Sequence, residues 1–344
     1  MIIPLIFIIF LFILLIIPHE LGHFLLAKKF GMQVDRFSFG LGPRLWRFKK
    51  GKTEYSISLI PFGGYVKIAG MEPQDRGTEN DFHKYPLWKR IFVISAGSIM
   101  NYLVSIILFS LIFIIGFYTF NLNKTIIGEV SKGSPAARAN LLPDDEILKI
   151  NEYKVKEWED IAFYIKNVPE EFLKLEVQRE GRIFSVQVKP EFDSQLNKKI
   201  IGIIPGKLFV RYNPIVAISK GVERAFLLTK FILLSLGRMI MGKISAEIAG
   251  PVGIARFVGE SASMGIVPFL SLAALLSVNL GLLNLFPIPA LDGGRLLFLL
   301  LEGIRGKAFN IEKEEFVHYI GFIVLIFLML LVTYQDILRW AGGG

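Results

Sequence analysis

Two histidines four residues apart bracket a glutamate in His19-Glu20-Leu21-Gly22-His23. On an α-helix positions i and i+4 share a face, so two imidazoles can grip one cation while the carboxylate between them reaches a water bound to it. This is the donor pattern of a hydrolytic zinc site, with His19 and His23 as ligands and Glu20 as base. The motif sits in an apolar stretch that begins at Met1, and it is the only ionisable cluster before Lys28. Ionisable groups are costly in hydrocarbon and are kept there for function. A zinc site inside a membrane is therefore implied, against the alternative of a chance HExxH on a solvated helix.

Zinc in hydrolases usually takes three protein ligands and one water, so two histidines leave a vacancy. The chain has no cysteine, which excludes thiolate ligands and disulfides and leaves His, Asp or Glu to fill it. After 31 uncharged residues from Ser261, the chain meets Asp292 in Asn284-Leu285-Phe286-Pro287-Ile288-Pro289-Ala290-Leu291-Asp292-Gly293-Gly294. Two prolines two residues apart cannot lie in a regular helix interior. At membrane depth such a broken backbone is tolerated only against packed protein or a cavity. Alone, Asp292 would read as a helix N-cap where the chain reaches water; beside an incomplete zinc site it reads as the third ligand.

The elements that must position these residues are largely membrane spans. Hydrophobic residues make up 53% of the chain, 30 residues are Phe, and the mean hydropathy is +0.52, outside ordinary globular usage. Four segments are long enough to cross a bilayer: Ile2 to about Ala27, Ile91 to about Thr119, Ser261 to about Phe286, and Phe316 to Tyr334. The first lacks the basic start and the small-residue cleavage site of a signal peptide, and it carries the HExxH, so it is read as retained. The net charge of +9 would suggest nucleic acid, but its distribution argues against that partner. Residues 28–90 hold 13 Lys/Arg against 6 Asp/Glu, the positive-inside signature, whereas residues 126–199 hold 12 basic and 14 acidic side chains. Residues 28–90 are thus expected in the cytoplasm and residues 120–260 outside it. If Lys28 and Lys29 mark the boundary, the two histidines lie roughly 7 to 14 Å inside it at about 1.5 Å per residue. Segment 214–241 is apolar but interrupted by Lys220, Glu223, Arg224, Lys230 and Arg238, and is expected to form one or two amphipathic helices lying on the outer surface. Gly342–Gly344 carry no argument.

Four domains are expected: 1–125, a membrane part with the HExxH helix, a β-loop and the second span; 126–205, a soluble domain; 206–260, the interfacial segment; and 261–341, a second membrane part with the aspartate motif. In the first, Tyr55-Ser56-Ile57-Ser58-Leu59 alternates apolar and polar and then reaches Pro61-Phe62-Gly63-Gly64, which reads as a β-hairpin dipping toward the membrane. Its edge around Ile57, Ser58, Gly63 and Gly64 could take a substrate as an added strand, with an inert packed hairpin as the alternative. Asn279 and Asn284 could pair with both donor and acceptor of an extended backbone, or act as helix-to-helix glue. Ser95, Ala96, Gly97, Ser98 and Asn101 are expected to permit close helix packing, with a role for Asn101 at the site as the alternative. In the soluble domain, Ile126–Val130 reads as a strand, 158–168 as a helix, and the alternation of Leu173, Leu175, Val177 and Phe184, Val186, Val188 around Glu180-Gly181 as a hairpin.

The HExxH in the first span together with the late Asn-x-x-Pro-x-Pro-x-x-Asp-Gly resembles the site-2 protease family of intramembrane zinc metalloproteases, in particular the bacterial regulator of sigma-E protease branch with a single PDZ domain. Phe37–Pro43, Thr53-Glu54-Tyr55, Pro61–Lys67 and Gly250-Pro251-Val252-Gly253-Ile254 resemble further segments of that branch. Ala96-Gly97-Ser98 departs from its usual Ala-Gly-Pro. Gly133-Ser134-Pro135-Ala136-Ala137 with Asp145–Asn151 resembles the PDZ domains of bacterial membrane-linked proteases, with Asn140, Asp144 and Glu152 standing at customary glycines. Asn and Asp tolerate φ > 0, so the first two keep their turns, while Glu152 fits less well. The resemblance implies a polytopic α-helical membrane protein of four transmembrane helices, with a cytoplasmic-side re-entrant β-hairpin and an inserted extracytoplasmic PDZ-like α+β domain, in the bacterial inner (cytoplasmic) membrane. It implies Zn²⁺ on His19, His23 and Asp292, Glu20 as base, and Asn284 in contact with substrate. It further implies single-span membrane proteins, such as anti-sigma factor remnants, cut in the lipid bilayer after a first trimming. Rival readings are a PDZ scaffold with a vestigial metal site and a metal transporter.

Overall fold

An unbroken apolar run, closed by Lys28 and Lys29 where cations suit the negative end of a helix, forms α1 (Ile2–Lys29). The computed structural model describes residues 2–71, 80–167, 171–194, 197–244 and 249–341; Val168 and Gly342–Gly344, named above, lie outside them. Pro18 is inside α1 and immediately precedes His19, removing one helical hydrogen bond just where the motif begins. β1 (Val34–Lys50) and β2 (Thr53–Ile68) follow as an antiparallel pair that folds back on itself. Phe37, Ser38 and Phe39 each have two partners: Tyr55, Ser56 and Ile57 on one side, Val66, Tyr65 and Gly64 on the other. Gly40 and Gly42 in β1, at φ +87 and +84, and Gly63 in β2, at +109, supply bends that a side chain would strain. The expected hairpin is thus a longer, folded ribbon. Helix α2 (Leu87–Ile115) then packs on α1 so closely that a Cβ at Gly22 would collide with the Ala96 carbonyl. The span expected to reach Thr119 ends at Ile115.

Residues Gly116–Arg211 form a separate compact unit. It opens with β3 (Phe117–Phe120) and β4 (Ile127–Val130), then α3 (Pro135–Arg138), capped by Ser134, β5 (Glu146–Ile150), β6 (Tyr153–Lys154) and α4 (Trp158–Asn167). β7 (Leu173–Arg179), β8 (Arg182–Val188), β9 (Glu191–Asp193), β10 (Lys198–Ile200), β11 (Ile203–Pro205) and β12 (Lys207–Val210) complete it. A four-stranded sheet in the order β6-β5-β7-β8 packs Ile147, Ile150, Leu173, Leu175 and Val177 into a core with Ile161 and Ile165 of α4. Asn140 and Asp144 adopt φ +58 and +69, as expected of these two residues. The third positive φ falls on Asn151 (+53), not on its neighbour Glu152. β3 pairs with β12, so the entering and leaving strands of this unit lie side by side, Phe117 opposite Val210.

The other unit resumes at Tyr212. The segment 214–241 forms one amphipathic helix, α5 (Pro214–Ile240), among the alternatives expected, but it packs lengthwise on α2. Gly221 lies against Ser110 and Ile106, and two turns on, the Thr229 hydroxyl is 3.1 Å from that of Tyr102. The cause is a stripe of small buried residues, Ala217, Gly221 and Ala225, four apart, which lets the helix backbones approach. Counting the charges on the other faces hid it. α6 (Pro251–Ser263) is followed by a break at Gly265, φ +116, so the third span is α7 (Ile266–Leu283), shorter than expected at its start. α8 (Asp292–Arg305) and α9 (Ile311–Ala341) finish the chain. Among the described residues four helices are long and apolar enough to cross a membrane, in α1, α2, α7 and α9. α6 lacks a side-chain cap of its own; Asp336 of α9 supplies one, accepting the Gly253 N–H at 2.8 Å.

Candidate metal centre

α1 presents His19 and His23 one turn apart, and the first residue of α8, Asp292, meets them. His19 Nε2 and His23 Nε2 are 3.3 Å apart, and each is 3.2 Å from Asp292 Oδ2. The three atoms form a nearly equilateral triangle. Donors about 2.0 Å from a tetrahedral zinc stand about 3.3 Å from one another, so the triangle fits that ion. Asp292 Oδ2 is buried and, the two imidazoles aside, has no hydrogen-bond partner among the described residues. Two nitrogens and a carboxylate oxygen also suit zinc chemically.

The surroundings orient the rings. His23 Nδ1 lies 2.8 Å from the Val93 carbonyl of α2, to which it donates when its Nε2 lone pair faces the centre. The Asn101 amide, fully buried on α2, lies 3.3 Å from His19 Nδ1, and Ser277 of α7 donates to the Asn101 carbonyl at 2.8 Å. Gly97 lies beneath both rings: a Cβ there would be 2.5 Å from His19 Cε1 and would collide with His23 Nε2. The glycine expected merely to let helices pack is in fact the floor of the site.

Glu20, His19, His23 and Asp292 line a polar cavity of about 210 Å³, whose remaining wall includes Tyr65, Val66, Ile94 and Arg295. Gly64 brings the ribbon onto α1, where a Cβ would stand 3.1 Å from Glu20 Cγ. Arg36 donates to the Tyr65 hydroxyl at 2.8 Å, a bond that holds the guanidinium pKa above its ordinary value. Asn284 Nδ2 lies 3.4 Å from His19 Nε2, at the centre. Of the other residues named for substrate contact, Gly64 is beside Glu20 and Asn279, Ile57 and Ser58 lie further off. Asn279 is half-buried on α7 outside the cavity wall, and the stretch containing Ile57 and Ser58 is separated from Gly64–Val66 by the Phe37–Phe39 strand. The sequence carries no signal of a site role for Tyr65, Val66 or Arg295, and for Asn101 it favours helix packing over such a role. An asparagine in a span reads as glue, and only the fold puts it beside His19.

The model of Peptidase family M50 matches residues 6–328. Among curated proteins, the regulator of sigma-W protease RasP of Bacillus subtilis is 33% identical, with 94% of this chain and 96% of that protein covered. The zinc metalloprotease RasP of Geobacillus kaustophilus is 31% identical, covering 95% and 96%. Among solved structures, a PDZ domain of the SdrC-like protein from Listeria monocytogenes matches at 20% identity and a TM-score of 0.21, covering 25% of this chain and 90% of that one.

Proposed function

This chain belongs to peptidase family M50, the site-2 proteases, and is a zinc metalloendopeptidase of a bacterial membrane; on that premise we propose that it cuts single-span membrane proteins within the bilayer, at the centre formed by His19, His23, Asp292 and Glu20. The observation that supports this most is the convergence of three ligand atoms at 3.2 to 3.3 Å with a glutamate on the wall of the same cavity. Zinc held by His19, His23 and Asp292 would supply Lewis acidity for the scissile carbonyl and for the attacking water. Glu20 would accept a proton from the nucleophile and return it to the leaving amine. Asn101 and the Val93 carbonyl keep the imidazoles in register. The substrate helix hides its carbonyls in its own hydrogen bonds, so it must be held locally extended. The Gly64–Val66 stretch beside Glu20 suits the addition of a strand, and Asn284 can pair with its backbone.

The excess of basic residues in 28–90 favours a cytoplasmic position for the ribbon, and with it an extracytoplasmic position for residues 116–211, the PDZ-like domain. That domain is inserted by both ends between two membrane elements. Its role in this reading is a size filter that admits substrates already trimmed by another protease. The relative's description as a regulator of sigma-W protease makes anti-sigma factor remnants the substrates to try first.

The test is zinc content measured together with cleavage of a model single-span substrate. Glu20→Gln is expected to keep zinc and lose cleavage, whereas His19→Ala, His23→Ala and Asp292→Ala lose both. Full zinc occupancy in Asp292→Ala would overturn the third-ligand assignment.

A further inference from the structure

The loop that delivers Asp292 is held in an unfavourable backbone conformation from outside. Ala290, two residues before Asp292, has φ +75, a left-handed conformation that an alanine rarely adopts. Its N–H donates to His318 Nδ1 of α9 at 2.9 Å. One turn along α9, Gly321 seats the same loop: a Cβ there would collide with the Pro289 ring and lie 2.8 Å from its carbonyl oxygen. Gly294 meets the ring from the other side, where a Cβ would be 3.1 Å from His318 Cε1. The second ring nitrogen of His318 is buried with no hydrogen-bond partner among the described residues, so the Nδ1 contact is the hydrogen bond that orients the imidazole, beside its packing on the Phe298 ring. A histidine in a helix as apolar as α9 is costly, and His318 stands where that helix meets the loop, partly buried among mostly exposed neighbours.

We propose that His318 is a positioning residue for the metal ligand Asp292: by accepting the Ala290 N–H it holds the left-handed turn from which the carboxylate reaches the two imidazoles. An acceptor at the Nδ1 position is what the loop requires. A neutral ring supplies it with Nδ1 unprotonated and the proton on Nε2. The inference rests on the assignment of Asp292 as a ligand.

The test uses the purified full chain and reads zinc affinity by competition with a chelator, alongside cleavage of a single-span substrate. Asparagine places its carbonyl oxygen where Nδ1 stands, whereas glutamine carries it one bond further. His318→Asn is expected to bind zinc within about threefold of the parent, and His318→Gln about tenfold more weakly, the lower end of the range for partners that orient metal ligands. Ala290→Gly added to His318→Gln should recover severalfold, because glycine adopts φ +75 without strain. Parent-like zinc affinity in His318→Gln, or equal loss in the asparagine and glutamine variants, overturns the proposal. Asp292→Ala measured in parallel separates the two ideas. If it retains zinc, the ligand assignment fails; if it loses zinc while the His318 variants do not, only the positioning role fails.

Discussion

The side-chain amide of Asn101 stands 3.3 Å from His19 Nδ1, the ring nitrogen not turned to Asp292, and its Oδ1 has no hydrogen-bond partner among the described residues. An imidazole that ligates through Nε2 carries its proton on Nδ1 and needs an acceptor there. A half-turn of the amide about its last bond presents Oδ1 to that proton and leaves the shape of the core unchanged. Asn101→Leu is therefore expected to weaken zinc binding by about 10- to 100-fold, and Asn101→Asp to retain it. Equal affinities for the leucine variant and the parent, measured against a chelator, would remove Asn101 from the centre.

Gly97→Ala puts a methyl group into both rings. Overpacking of this kind costs about 1 to 3 kcal/mol, and here the atoms that must yield are the ligands. Zinc per mole of protein should fall along with the thermal midpoint. Ser98→Ala, one residue on and not against the imidazoles, should leave zinc content unchanged.

Substrate sequence offers a separate check. Glycine or proline near the scissile bond weakens a substrate helix by about 1 to 3 kcal/mol, and a site that requires an extended chain should cut such substrates severalfold faster than a poly-leucine span. Asn284→Ala should slow cleavage of both without lowering zinc content. Equal rates for the two spans would argue against an unwinding step.

Asp336→Ala removes the acceptor for the first turn of α6. A cap of this kind is worth about 0.5 to 2 kcal/mol, and the loss should appear as a lower thermal midpoint with zinc affinity intact.

Closing the β3–β12 ribbon with a short turn in place of residues 121–206 tests the filter. Val210 already faces Phe117, so the excision leaves paired ends. Substrates with large outer parts should then be cut. If they stay intact while zinc remains bound and trimmed substrates are still processed, the filter is wrong.

The three residues that converge at the candidate centre were legible in the sequence because spacing on a helix and a lone aspartate after a long uncharged run are local signals. The elements around them were less so. The stripe Ala217, Gly221 and Ala225 was masked by charges on the other faces of α5, and Ile57 and Ser58 looked like a binding edge because alternation does not reveal which neighbour a strand will take. Asn101 and His318 are single polar residues in apolar helices, indistinguishable from glue until the fold places one beside His19 and the other over Ala290.

The triangle of donor atoms also has a consequence in time. Two of its corners are made within the first helix, but the third is Asp292, far along the chain. During synthesis, at roughly 5 to 20 residues per second, a nascent chain carries the two imidazoles without Asp292 for many seconds after His23 has emerged. It has a glutamate base and an incomplete grip on metal. On the proposed ligand assignment the centre stays incomplete until Asp292 has been made, so the arrival of that residue sets the earliest moment at which cutting can begin.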